Sequence, residues 1–275
     1  MARPYLPPVA VGAIDGIGAS PRGNVQPGLF PKRISTIYPG RPNGADIAFM
    51  CEVAEGGTYY CKSDRNGRQV RLTEWFCTRL AAHLGVATAD CAILENENGE
   101  SYFGSLHHKS TVQDFAVGDF LRSPRKGELG QPSEWPGRYL SSLYSLDLFL
   151  NNADREMTNF ALHADGLGYR LCAIDFAASR LASLTGREFP IAHGRTLPVG
   201  KLLRHVHGFF EDSALEMVDR IAGVPAGVLG GFLAEIPADW ASDAQKVGIG
   251  ETWSSSRMHD RLADLRAGIR NGSLL

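Results

Sequence analysis

The chain has 275 residues, of which 44 % are hydrophobic and 21 % charged, so it is long enough for one large domain or two smaller ones with an ordinary core. Its 28 Lys and Arg residues nearly balance 30 Asp and Glu residues, which argues against the strongly basic surface of a general nucleic-acid or membrane binder. The five cysteines lack zinc-type spacing and apolar runs stay short of about 18 residues, so we expect reduced, buried thiols in a cytoplasmic protein.

The first half of the sequence predicts a lobe that is rich in strands. The first 33 residues are rich in Pro and Gly, and we interpret them as an irregular arm. Apolar residues recur every three to four positions over 70–84 and predict one helix, which ends at Gly85. Five short β-branched and aromatic runs predict strands at 34–38, 47–53, 58–62, 89–96 and 100–106. We expect these elements to form an N-terminal lobe at 34–110.

The second half predicts a mainly helical lobe at 111–275. The polar, Gly- and Pro-rich stretch 123–137 indicates a surface loop or a boundary. The exception to the helical pattern is FALHADGLGYRLCAID (160–175), which is typical of two short strands around a turn at Asp165-Gly166. Apolar spacing predicts helices at 138–150, 196–210, 212–223, 226–236 and 257–272. The expected fold class is therefore α+β with two lobes.

Polar residues in an unusual order interrupt the apolar sequence LFLNNADREMTNFAL. Asp154 and Asn159 are separated by four residues, the spacing at which a protein-kinase catalytic loop carries an acceptor-orienting Asp and a magnesium-binding Asn. Asp175 ends an apolar run 16 residues after Asn159, and a hairpin between them would return the chain to the same place. An Asn and an Asp are suitable oxygen ligands for Mg²⁺. The alternative is structural, with turn and cap roles for Asn151, Asn152, Asp154 and Asp175.

A lysine and a glutamate occupy matching positions in the first half. Lys62 ends the third strand-like run, and Glu74 lies near the start of the predicted helix, 12 residues later. A lysine that holds the α- and β-phosphates of a nucleotide needs a carboxylate to fix its flexible stem. Taken separately, Lys62 fits a solvated strand-end lysine and Glu74 a solvated acid favoured by the helix dipole.

The loop YPGRPNGAD lies between the first two predicted strands. Its residues Gly40, Asn43 and Gly44 would let backbone amides approach phosphate groups, although a loose β-turn fits the same letters. By contrast, His205 and His207 lie two positions apart in a predicted helix, where their side chains point to different faces, so we expect no shared metal there.

Taken together, these motifs resemble those of a HipA-like kinase domain, a bacterial relative of the protein kinases, from about Ile34 to the C-terminus. Asn152, Asp154, Arg155 and Asn159 match the N-x-D-R-x-x-x-N segment that HipA-like proteins share with phosphoinositide-kinase-like proteins. AIDFA stands where the family carries its metal-binding Asp, and YFGS (102–105) resembles the strand before the hinge between the lobes. The sequence departs from the pattern at Glu156, where related proteins often have His, and in a short nucleotide loop without a row of serines.

The resemblance implies a kinase-like cleft that binds ATP and Mg²⁺. In it Lys62, supported by Glu74, would hold the phosphates, Asn159 and Asp175 would bind magnesium, and Asp154 would orient the acceptor hydroxyl. It further implies a Ser or Thr acceptor on a protein substrate and an antitoxin-like partner. The balanced charge and the short apolar runs predict no direct nucleic-acid or membrane contact. Two alternatives stay open, namely a small-molecule or lipid-headgroup kinase on the same scaffold, and an inactive nucleotide-binding regulator.

Overall fold

A closed barrel of five strands forms the N-terminal lobe of the computed structural model, which describes residues 30–39, 46–112, 114–126, 130–165, 168–181, 189 and 194–275. The strands are β1 (Lys32–Tyr38), β2 (Ile47–Val53), β3 (Thr58–Lys62), β4 (Cys91–Glu95) and β5 (Ser101–His107), in the order β1-β2-β3-β5-β4. Neighbours are antiparallel, and a short parallel contact between β1 and β4 closes the barrel. Inside it lies a small core of Cys51, Val53, Tyr59, Cys61 and Leu94.

Helix α1 (Val70–His83) joins this barrel to the rest of the molecule. Its predicted apolar positions, including Trp75, Phe76 and Leu80, are buried in a large core that continues into the second half of the chain. The helix ends where Gly85 takes a φ of +83°, a left-handed conformation that glycine adopts without steric cost. The predicted helix and its C-terminal signal are therefore confirmed.

The C-terminal lobe is mainly helical and is centred on helix α3, which packs against α4, α5 and α8. Its helices are α2 (Asp114–Arg122), α3 (Trp135–Phe149), α4 (Thr196–His207), α5 (Glu211–Ala222), α6 (Ala226–Ala234), α7 (Asp243–Trp253) and α8 (Ser256–Arg270). A two-stranded hairpin of β6 (Phe160–Asp165) and β7 (Gly168–Ala173) follows α3. Within the described ranges no single helix is long and apolar enough to cross a membrane. Helices α5 and α6 together have the length and composition of a membrane span, but they are bent by 75° relative to each other.

The structure confirms the α+β, two-lobed fold class and corrects three details of the elements. Helices α2 and α7 were not predicted, because both are short and contain glycine, and α7 also shows little apolar periodicity. The capping box at Ser242 and Gln245, in which each side chain binds the other's backbone N–H, was the available signal for α7. Helix α3 begins at Trp135, inside the predicted loop 123–137, with Pro136 in its first turn. β1 starts at Lys32, two residues before the predicted start of the strand at Ile34.

The described cysteines are all free thiols, in agreement with the expected reduced state. Four of them are buried and Cys91 is partly buried. Cys51 and Cys61 lie on neighbouring strands of the barrel with their Sγ atoms 3.2 Å apart. Both form part of the small barrel core.

Candidate active site

A buried lysine is held between two carboxylates where the barrel meets the C-terminal lobe. Nζ of Lys62, the last residue of β3, lies 2.6 Å from Oε1 of Glu74 on α1 and 3.0 Å from Oδ1 of Asp175. Lys62 is 5 % exposed and Glu74 is 1 % exposed. The interpretation of these two residues as solvated surface charges is therefore wrong, and the expected ion pair is present.

The three side chains of this trio, Lys62, Glu74 and Asp175, differ in how strongly each one keeps its charge. Burial lowers the pKa of Lys62, but Glu74 and Asp175 outweigh that effect, so the net pKa is raised and the amine stays protonated. Burial raises the pKa of Glu74 to about 7 against the opposing charge of Lys62, and the nearby Asp175 adds to the rise. Burial also acts to raise the pKa of Asp175, but Lys62 and hydrogen bonds lower it to about 2. A proton that enters the trio is thus held on Glu74, and Asp175 remains a carboxylate, the form that binds metal ions.

The β6–β7 hairpin brings Asn159 and Asp175 to the same end of the molecule. Its register pairs Phe160 with Ala173, and the backbone N–H of Ile174 donates to the carbonyl of Asn159 at 3.1 Å. Asp175 has a φ of +60°, a left-handed conformation that Asp and Asn tolerate better than most residues. Its carboxylate also accepts a bond from the N–H two residues later, at 3.3 Å, so the cap-like role coexists with the ion pair to Lys62.

The loop between α3 and β6 presents Asp154 at its surface, with a side chain that is 53 % exposed. Nδ2 of Asn159 donates to the carbonyl of Asp154 at 2.6 Å, which fixes the amide and leaves Oδ1 with a long, 3.5 Å bond from Thr158. Arg195 lies beside the loop, with Nε 3.7 Å from Oδ1 of Asp154. The same guanidinium pairs with Glu156, so the residue that replaces the family's histidine holds an arginine next to Asp154.

A buried ion pair between Arg155, in the loop, and Asp147, on α3, fixes the loop to the helix. Arg155 and Asp147 are 3 % and 1 % exposed, and they are joined by two bonds of 2.9 Å and 3.0 Å. The remaining guanidinium nitrogen of Arg155 donates to the carbonyls of Asn159, at 3.0 Å, and Ile174. Arg155 therefore connects helix α3, the loop and the end of β7, the three segments that carry the candidate site.

Asn152 and Thr196 complete this network. Asn152 is fully buried, and its Nδ2 donates to Oδ1 of Asp147 at 2.8 Å. Thr196 Oγ1 donates to the Asn152 carbonyl at 2.6 Å and accepts from the N–H of Arg155 at 2.9 Å. The structural interpretation of Asn152 fits this geometry, while its neighbour Asn151 makes the turn with a φ of +52°.

Sequence reasoning did not single out Asp147, Thr196 or Arg195. Asp147 carried a signal, since it is one acid inside the apolar helical run LYSLDLFL, and such a residue is buried only with a partner. Thr196 and Arg195 lie about 40 residues beyond the loop, and local sequence patterns connect only residues that are much closer in the chain. Their contribution depends on how α4 packs.

Other predicted residues lie away from this cluster or outside the described residues. Gly40, Asn43 and Gly44, predicted to approach phosphates, lie outside the described residues. His205 is exposed, whereas buried His207 lies 2.8 Å from the carbonyl of Leu121. No three or more His, Cys, Asp or Glu side chains in the described ranges are arranged to hold a metal.

Comparisons with known proteins agree with the kinase-like geometry. A family model described as HipA-like kinase matches residues 34–189. The solved proinflammatory kinase CtkA of Helicobacter pylori is 10 % identical, with a TM-score of 0.56 over 87 % of this chain and 99 % of that chain, which shows a shared fold.

Two further solved structures align with lower scores. HipA of Shewanella oneidensis, in its complex with HipB and operator DNA, is 10 % identical over 84 % of this chain and 68 % of that chain, with a TM-score of 0.43. The Golgi casein kinase with Mn/ADP bound is 12 % identical over 88 % and 73 %, with a TM-score of 0.45. No curated protein sequence matches the chain.

Proposed function

This chain belongs to the HipA-like kinase family, and on that premise we propose that it is a kinase that uses ATP and Mg²⁺ to phosphorylate a Ser or Thr hydroxyl of a cellular protein. The observation that carries the proposal is the position of Lys62, held 2.6 Å from Glu74 and 3.0 Å from Asp175 in an almost fully buried place. A buried, fixed cation beside an ionised acid suits a phosphate chain with its metal ion better than it suits a structural role.

The residues present fit a magnesium-bound nucleotide. Asp175 keeps its negative charge, and Asn159 has its amide fixed through Nδ2, so these two side chains offer hard oxygen atoms from one end of the hairpin. Mg²⁺ is commonly bound by one or two protein ligands and completes its shell with water and phosphate oxygens. ATP would supply the phosphoryl group, and the bound magnesium ion would neutralise the charge on the phosphate oxygens. Lys62 would hold the α- and β-phosphates.

Asp154 is the candidate for orienting the acceptor. Its side chain is half exposed on the loop, where an incoming hydroxyl can reach it. In the transfer, the hydroxyl oxygen bonds to the γ-phosphorus, the bond from that phosphorus to the bridging oxygen breaks, and the hydroxyl proton passes to Asp154. Arg195, whose Nε lies 3.7 Å from Oδ1 of Asp154, would stabilise negative charge that develops beside this carboxylate.

Radiolabelled ATP, with and without a cell lysate, tests this proposal. We expect label in a protein band that depends on Mg²⁺ and disappears in Asp154→Ala. Glu216→Ala, which removes an exposed i,i+4 pair with Arg220, is the matched control and should label as the parent does. Label in an extractable metabolite or lipid would favour the small-molecule kinase, and the absence of label together with retained nucleotide binding would favour the inactive regulator.

Family membership also bears on partners and location. We propose a cytoplasmic protein with an antitoxin-like protein partner, as the family resemblance implies. Affinity purification of the tagged full chain from its native cells, followed by mass spectrometry, tests the partner, and fractionation of the same cells tests the location. Failure to recover a small co-expressed protein at stoichiometric amounts would contradict the partner.

A further inference from the structure

Helix α1 carries Glu74, and a segment of the C-terminal lobe runs along the outer side of this helix. The segment extends from Phe232, at the end of α6, to Trp240, before α7, and we name it the α1 brace. It meets α1 at three successive turns, at Arg71, Trp75 and Arg79. These positions are four residues apart and therefore form one stripe on the helix.

The centre of the brace is apolar and buried. Trp75 and Trp240, each 2 % exposed, pack edge to face with ring centroids 6.4 Å apart. The indole N–H of Trp75 donates to the carbonyl of Phe232 at 3.3 Å. Because large aromatic side chains contribute much of the energy of such contacts, this pair is a strong attachment of α1 to the C-terminal lobe.

Charged groups extend the contact on both sides of the two tryptophans. Arg71 donates to the carboxylate of Asp239 at 2.7 Å and to its carbonyl at 3.1 Å, and its guanidinium lies 5.4 Å from the ring of Trp240. One turn beyond Trp75, Arg79 pairs with Glu235 at 3.3 Å and stacks on Phe232. The brace therefore restrains the position and the rotation of α1.

The brace also reaches the barrel. The indole N–H of Trp240 donates to Oγ of Ser101, the first residue of β5, at 2.6 Å, and Ser101 donates to Asp239 at 2.8 Å. From behind, Lys246 of α7 donates to the carbonyl of Ile236 at 2.6 Å. A segment anchored in the C-terminal lobe is thus fixed both to α1 and to β5, the strand that pairs with the Lys62 strand β3.

We propose that the α1 brace is a built-in positioning element that holds Glu74 in the orientation that pairs with Lys62, with Trp240 and Asp239 as its positioning residues. Glu74 lies next to Trp75 on the helix, about 100° around the axis, so rotation of α1 that frees Trp75 would move Glu74 away from Lys62. The inference rests on the proposed function only for its link to the nucleotide.

Hydrogen exchange and nucleotide binding measured on the full chain test the proposal. Asp239→Ala removes one of the two carboxylate partners of Arg71, which keeps its bonds to Asp64, at a side chain that is 57 % exposed, so the fold should survive. We expect amides of α1 to exchange about fivefold faster in Asp239→Ala and at least about a hundredfold faster in Trp240→Ala. The affinity for a non-hydrolysable ATP analogue with Mg²⁺ should fall in the same order.

Two variants separate positioning from general destabilisation. Asp239→Asn keeps an oxygen acceptor for Arg71, so the amides of α1 should exchange nearly as slowly as in the parent. Asp219→Ala removes a similarly exposed pair, with Arg266, between α5 and α8, and should leave α1 exchange and nucleotide affinity at parental values.

Unchanged α1 exchange in Trp240→Ala would overturn the brace, as would faster exchange with undiminished nucleotide affinity. If the parent itself binds no nucleotide, the proposed function fails, and α1 exchange alone then decides whether the brace holds the helix.

Discussion

The buried pair of Asp147 and Arg155 gives the sharpest test of how the loop is held. In Arg155→Met the charged partner is lost, while Asp147, 1 % exposed, keeps one side-chain bond from Asn152. An uncompensated buried charge destabilises a protein by about 3 to 5 kcal/mol. Because whole domains are stable by only about 5 to 15 kcal/mol, we expect Arg155→Met to be close to unfolded at moderate urea concentrations.

The double variant Asp147→Leu, Arg155→Met separates stability from function. With both charges replaced by apolar groups of similar volume, the stability should return to within about 2 kcal/mol of the parent. The carbonyls of Asn159 and Ile174 still lose their shared donor, so only the backbone bond from Ile174 N–H to the Asn159 carbonyl joins the loop to the end of β7. Since a displacement of about 1 Å can lower a rate about a hundredfold, we expect a folded protein with turnover reduced on that scale.

Urea unfolding followed by fluorescence of the four tryptophans measures the stability, and phosphoryl transfer under saturating ATP measures the turnover. Glu216→Ala is again the control and should change the free energy of unfolding by less than about 1 kcal/mol. A loss below about 1 kcal/mol in Arg155→Met would refute the buried-charge reasoning. Parental turnover in the double variant would refute the idea that Arg155 positions the loop.

Three further measurements address individual groups. Asp154→Ala should keep nucleotide affinity near the parental value and lower turnover at least about a hundredfold, so an active Asp154→Ala would restore the turn interpretation. Asparagine tolerates the φ of +60° at position 175, so Asp175→Asn should fold normally. Calorimetry should show that Mg²⁺ no longer strengthens ATP-analogue binding in this variant, and an unchanged effect of Mg²⁺ would show that Asp175 is not a ligand. Burial and the positive charges of His108 and Arg170 lower the pKa of His163 to about 4. The stability that the neutral His163 contributes to the fold is therefore complete above pH 6.5 and is lost as the pH falls towards 4. The free energy of unfolding should drop by up to about 3 kcal/mol over that window in the parent and by less in His163→Phe, whereas exposed His205→Gln should follow the parent; equal slopes in all three would contradict the assignment.

The sequence was informative wherever function and local structure follow from neighbouring residues. The strands 47–53 and 58–62 and the helix from Val70 have the predicted bounds to within a residue, because turn formers and apolar spacing act over short distances. Lys62, Glu74 and Asp175 could be placed together because each lies in or just after a recognisable element and because the element order matched a known scaffold. Their roles in binding nucleotide and metal stay predictions.

What the sequence could not supply depends on packing between distant segments. The pairing of β1 with β4 that closes the barrel, the position of Thr196 under the loop and the contact of Trp240 with α1 each join residues that are far apart in the chain. A single sequence has no local pattern that records such contacts. Burial of Glu74 was likewise hidden, since an acid in the first turns of a helix is normally solvated.

The β6–β7 hairpin has a consequence for how this kind of site tolerates insertions. Asn159 and Asp175 are held together by the first pair of the ladder, Phe160 with Ala173, and the opposite end of the ladder is the pair Asp165 and Gly168, between which the chain connects the two strands. Residues added at this connection would lengthen the chain between the two side chains without separating them in space. A single residue added to one strand would instead shift the register and turn the following side chains to the other face. The number of residues between an Asn and an Asp of this type is therefore a poor criterion for finding such a site, and their place at the open end of a hairpin is a better one.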